Sequence, residues 1–203
     1  MGWLTLSELD GRVFYDEIKS GSPRATAVVA GAFVEDHLTR VIKWRLVQEP
    51  VNKNKNVAED MFRPGGPVGD FSNKIDMAYL MGCISKEAWK ELETIRRIRN
   101  DFAHKMKIFD FDITSIADRC ANLKLWEEIK VKLRAADDKK SGKLILTIGR
   151  TVEQEEQHLP VVDMLPPDDV KTPRDRYVAA CQFYIAVFSV IIHDANKIPT
   201  PVV

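Results

Sequence analysis

Residues Arg96–His104 read RRIRNDFAH. Wound as an α-helix at about 100° per residue, Leu92, Ile95, Arg99, Phe102 and Ala103 fall within one sector the width of an apolar stripe, with Arg99 near its centre. Arg96 lies at the edge of that sector, and Arg97, Asn100 and Asp101 point away. A guanidinium cannot shed its charge, so an arginine on a buried face demands a carboxylate or phosphate partner. Glu35 and Asp36, midway along another long helical pattern, are the carboxylates able to supply it. Both stretches read as long helices.

Working outward, Ser22-Pro23 opens that other helix, with a capping hydroxyl followed by a proline at the first helical position, and the pattern runs to about Val47. Ala27, Ala30, Val34, Leu38, Val41 and Arg45 follow steps of three and four along it. A shorter helix over Ser7–Lys19 precedes it. PVNKNKN (Pro50–Asn56) and RPGGPVGDF (Arg63–Phe71) read as loops. A helix from Ser72 to Met81 follows, with Phe71, Ile75, Ala78, Tyr79 and Gly82 on one face. Gly82 is placed to end it and Ser85 to cap the next, which carries RRIRNDFAH and ends near His104. FDFD (Phe109–Asp112) is a turn, and Thr114 to Ala136 is helical in one or two pieces. KLILTIG (Lys143–Gly149) has the composition of a strand, paired in a small hairpin with the neighbourhood of Val161. Prolines at 166, 167 and 173 mark a linker before a last helix from Arg174 to Asn196. The expected architecture is a single all-α bundle of six or seven helices spanning 1–203, with a β or irregular insertion at about 137–173 before the C-terminal helix.

Composition narrows the function classes. The chain has 203 residues, 45% hydrophobic and 30% charged, enough for one sizeable core. Thirty basic and thirty acidic residues cancel, so there is no overall positive surface to gain from counterion release on DNA. Lys53, Lys55, Arg96, Arg97, Lys105 and Lys107 are candidates for a local basic patch. Cys83, Cys120 and Cys181 are widely spaced and odd in number, which together with the lack of a signal pattern points to free thiols in a reducing cytoplasm. Tyr177–Ile192 carries no charge but is shorter than a membrane span of about 20 residues, so it reads as a buried or dimer-interface helix.

The residues leave two readings of the central motif. In one, Arg99 pairs with Glu35 or Asp36, Asn100 hydrogen-bonds backbone, and His104 serves the helix end, where a cation suits the dipole. In the other, Arg99, Asn100 and His104 converge on a phosphate. The arginine then binds it bidentately, and the histidine acts as general acid or base near neutral pH. With RNA the 2′-hydroxyl supplies the nucleophile, so no metal or other cofactor is needed. His104 sits five positions after Arg99, about 140° round the helix, so the two share a face only if the helix bends or ends between them.

GGPVGDFSNKIDMAYLMGCIS (Gly65–Ser85), followed by LETIRRIRNDFAH and the FDFD turn, resembles the mannitol operon repressor family over about Ala25–Leu125. That resemblance implies a helical regulator associated with transcriptional control of sugar-alcohol uptake, acting through a protein partner rather than a DNA-reading motif of its own. The Asn/Lys-rich loop near residue 53 and the 137–173 segment look like additions to that pattern. Arg99, Asn100 and His104 also resemble the Arg-x4-His motif of HEPN domains, helical and often dimeric, many of them metal-independent ribonucleases. This second resemblance implies catalytic positions at Arg99, Asn100 and His104, with Glu35 or Asp36 as acidic support.

Other patterns are weaker. GGPVGDFSNK lacks the Gly-Lys-Ser/Thr ending of a phosphate loop, and Pro67 removes an amide donor. One Glu-x-x-His, at Glu155 and His158, falls short of the two that a di-iron bundle requires. Trp44, Trp89 and Trp126 lie on helical patterns as core or interface residues. The leading expectation is therefore a cytoplasmic homodimeric regulator with a protein partner, no cofactor, no metal and no membrane span. A metal-independent endoribonuclease acting on RNA is the alternative.

Overall fold

The computed structural model describes residues 18, 20–46, 56–107, 110–137, 166 and 169–195, which build an all-α bundle. Among the described residues the helices are α1 (Pro23–Trp44), α2 (Val57–Phe62), α3 (Phe71–Leu80), α4 (Lys86–His104), α5 (Thr114–Cys120), α6 (Leu125–Asp137) and α7 (Pro173–Ala195), with no strand. The expected strand at 143–149, its partner near Val161, and the helix expected over Ser7–Lys19, Ile18 apart, lie outside the described residues.

Local chemistry sets the ends. The Ser22 hydroxyl accepts from the amide of Ala25 at 3.2 Å, and Pro23 occupies the first turn of α1. Ser85 does the same for Ala88 at the start of α4. Gly82, at φ +68°, closes α3: its amide bonds Tyr79 O at 2.9 Å and that of Cys83 bonds Ala78 O at 2.8 Å. These two bonds form a Schellman motif, which needs the left-handed residue glycine tolerates. The six-residue α2 was not expected from the sequence. Asn56, the end of the polar loop, caps it by accepting from Glu59, and it buries no residue. In the glycine-rich loop behind it, Gly66, Val68 and Gly69 donate their amides to Arg63 O, Met61 O and Gly66 O. Those donors are spent inside the protein and do not form a phosphate cradle.

α1, α4 and α7 form the centre. α1 and α7 run parallel: Arg174 Nη2 donates to the Thr26 hydroxyl at 2.7 Å, and the Tyr177 hydroxyl donates to Ala27 O at 2.9 Å. α4 runs antiparallel to both, with Arg24 reaching the carbonyls of Phe102 and Lys105 at its far end and Tyr184 reaching Glu91. The expected stripe of α1 is buried from Ala27 to Val41, but Arg45 is exposed because it is the C-cap. Tyr79, expected on the inner face of α3, is 43% exposed.

α7 is buried as the sequence suggests, but its length is not the reason. The helix begins at Pro173, so it is long and apolar enough to cross a membrane by length and composition alone. Yet Tyr177 to Phe188 is buried at every position except Gln182. An apolar helix face must be covered, and over Tyr177–Phe188 the bundle itself covers it.

Candidate functional site

Two cations sit where apolar side chains would be expected, and both meet the same carboxylate. On α3, Lys74 lies between Phe71, Ile75 and Ala78, all buried. Its ammonium donates to Glu35 Oε1 at 2.6 Å, with the two side chains 10% and 18% exposed. On α4, Arg99 lies in the stripe of Leu92, Ile95 and Phe102, each fully buried. Its Nη2 stands 3.8 Å from Glu35 Oε2, with 29% of the arginine side chain exposed. Three helices thus meet at one junction carrying two positive charges and one negative.

The arginine is led there by its stem. A Cβ placed on Gly31 of α1 would lie 2.8 Å from Arg99 Cγ and 2.9 Å from its Cβ. Real Cβ contacts are not that short, and the near atoms belong to the stiff root of the side chain. Gly31 is therefore where α1 lets α4 approach and lets Arg99 pass toward Glu35, one helical turn on. Arg99 Nη1 donates to Asn100 Oδ1 at 3.0 Å, while its Nε is buried with no hydrogen-bond partner. The guanidinium thus keeps spare donor capacity at the edge of a buried pair.

Of the two acidic candidates, the structure brings Glu35 into the junction and leaves Asp36 out. Asp36 is exposed and pairs with Arg40 at 2.6 Å, one turn along the same helix. Asn100 is half-buried against Arg99. His104 is the last residue of α4 and is exposed. α4 continues unbroken between Arg99 and His104, so their side chains leave it in directions about 140° apart.

The rest of RRIRNDFAH is tied into tertiary structure. Asp101 bonds Lys105 at 2.7 Å and Arg119 of α5 at 2.8 Å. Burial works against its charge, but these hydrogen bonds outweigh it and hold the carboxyl below the usual range. Arg96 grips Glu93 through two bonds of 2.8 and 2.9 Å and lowers that carboxyl as well. Arg24 of α1 caps the carbonyl end of the motif at Phe102 and Lys105, as a cation suits a helix C-terminus.

Two participants escaped the sequence reading. Lys74 left a signal of the same kind as Arg99, a charged residue inside an apolar face. Glu91 left none. It is buried on α4, and Oε1 accepts the amides of Lys124 and Leu125 at 2.6 and 2.7 Å, while Oε2 accepts from Tyr184 at 3.1 Å. Burial pushes its carboxyl up despite these bonds, with Glu128 adding a like charge.

Among the described residues no three His, Cys, Asp or Glu gather as a metal set, and the Glu155–His158 pair lies outside them. The three cysteines are free and buried, with burial pushing Cys120 up to about 12 and Cys181 higher still. Such thiols are not nucleophiles at neutral pH.

A family model described as mannitol repressor matches residues 26–162, two-thirds of the chain. The match extends past the 25–125 stretch that carries the resemblance and includes both Gly31 and the whole Lys74–Glu35–Arg99 junction. Comparison with curated proteins and with solved structures gave no match.

Proposed function

The chain belongs to the mannitol repressor family, and from that premise we propose that it is a cytoplasmic regulator working through contacts with other proteins, a second copy of itself among them. The observation that supports this most is the use made of Arg99. Its stem fills the gap at Gly31 and its head faces Glu35, while His104 stands exposed at the helix end. An arginine so placed ties α4 to α1, and through Glu35 to Lys74 of α3. The balanced charge of the chain speaks against a DNA-reading surface of its own. In the host, deletion of the gene is expected to change transcript levels for sugar-alcohol uptake, and unchanged transcripts with and without the sugar alcohol would refute the regulator. Light scattering on the eluting protein tests the dimer: a monomer mass at high micromolar concentration removes the second copy as a partner.

The HEPN-type ribonuclease is favoured by one observation, that Arg99 keeps a partly exposed edge, 29% of its side chain, beside Asn100. RNA cleavage in EDTA, wild type against His104→Ala, separates the readings. Cleavage lost in a folded variant makes the chain a metal-independent nuclease. No cleavage by either protein, over several RNAs, leaves the regulator.

A further inference from the structure

α6 is held by an unusual joint. The residue before it, Lys124, has no side-chain oxygen to cap the helix, and the first amides are capped from another helix by Glu91 of α4. Tyr184 of α7, fully buried, holds the other carboxylate oxygen. Among the described residues no cation stands in this seat: the groups facing Glu91 are the Lys124 and Leu125 amides and Glu128 from α6, and the Tyr184 phenol from α7. Beside it Trp126 is 3% exposed, and its buried Nε1 has no hydrogen-bond partner. Further out, Arg176 of α7 bonds Glu127 at 3.0 Å, and Val131 on the outer side of α6 is 66% exposed. A charged carboxylate without a cation and an orphaned indole N–H both weigh against the closed joint, and both lie at the same end of the same helix.

We infer that α6 is a hinged arm of the bundle, latched at the Glu91–Tyr184 seat, and that it opens ahead of the other helices when Glu91 carries its charge. In the closed joint Glu91 is buried and holds its proton more tightly than in the open one, so opening releases a proton. The open population then rises with pH, by about tenfold per unit at most, between the open and closed titration points. This rests on the seat alone and is independent of the regulatory reading.

Native-state amide exchange on the full chain, corrected for intrinsic rates, tests it between pH 4 and pH 7. Amides of residues 126–131 are expected to open more readily than those of the middle of α1, and increasingly so as the pH rises. Glu91→Gln keeps an acceptor for the two amides and should flatten that pH dependence. Tyr184→Phe, which removes a buried side-chain donor to the charge, should increase α6 opening at pH 7 relative to α1. The idea fails if α6 exchanges only together with α1, α4 and α7. It fails equally if the pH dependence of α6 survives in Glu91→Gln.

Discussion

Glu35 and Glu91 are both largely buried carboxylates at helix junctions, and they are satisfied in opposite ways. Glu35 sits between two cations, Lys74 at 2.6 Å and Arg99 at 3.8 Å. Glu91 has two backbone amides and a phenol, with no cation among the described residues. The first arrangement makes three helices depend on one carboxylate. The second supplies good hydrogen bonds but does not offset the loss of water, so burial lifts Glu91 above its ordinary titration point. Ion pairs hold the first junction, whereas dipoles alone leave the second sensitive to the protonation of Glu91.

The largest expected effect comes from removing the shared carboxylate. Glu35→Leu strands the ammonium of Lys74, 10% exposed, and should lower stability by about 3–5 kcal/mol, read as a reduced urea midpoint at unchanged slope. The double variant Glu35→Leu/Lys74→Met should recover most of that. A single-variant loss under about 1 kcal/mol would show that the pair is not effectively buried.

Glu91→Leu leaves two helix-start amides without an acceptor, at about 1–3 kcal/mol each, and should loosen α6 in particular. Next comes Arg99→Ala, with an expected loss of about 1–3 kcal/mol, since its head is partly exposed and its stem packs on Gly31. A melting temperature equal to wild type would transfer Arg99 from structure to chemistry and favour the nuclease.

A pH series sharpens the contrast. Because Glu91 is raised, the stability it contributes is fully present below its unfolded value of about 4.3 and is lost as pH rises through the folded value. The melting temperature of wild type relative to Glu91→Gln should therefore fall between pH 4 and pH 7. Asp101, lowered by Lys105 and Arg119, works the other way: its contribution is present above about 3.9 and disappears as acid is added. A wild-type-minus-Gln difference that stays constant with pH would mean Glu91 is not the titrating group. The smallest effects belong to His104→Ala and Asp36→Asn, both exposed, each expected within about 0.5 kcal/mol of wild type.

The sequence by itself determined the helices that have strong punctuation. Ser22-Pro23, Gly82 and Ser85 place the ends of α1, α3 and α4 because capping depends on residues within one turn of each other. It also identified Arg99 as anomalous and narrowed its partner to Glu35 or Asp36, since a fixed charge on an apolar face is visible in periodicity alone. Only the tertiary structure decided between those two acids, because adjacent residues point about 100° apart and the choice depends on where α4 crosses α1. The crossing is set by Gly31, whose meaning needs a neighbour 68 positions away. Lys74 joined the site for the same reason, through a contact between helices that local patterns do not encode. Glu91 was invisible to the sequence because its partners are backbone amides, which every residue but proline carries, and only the packing of α6 says which of them lack an acceptor of their own.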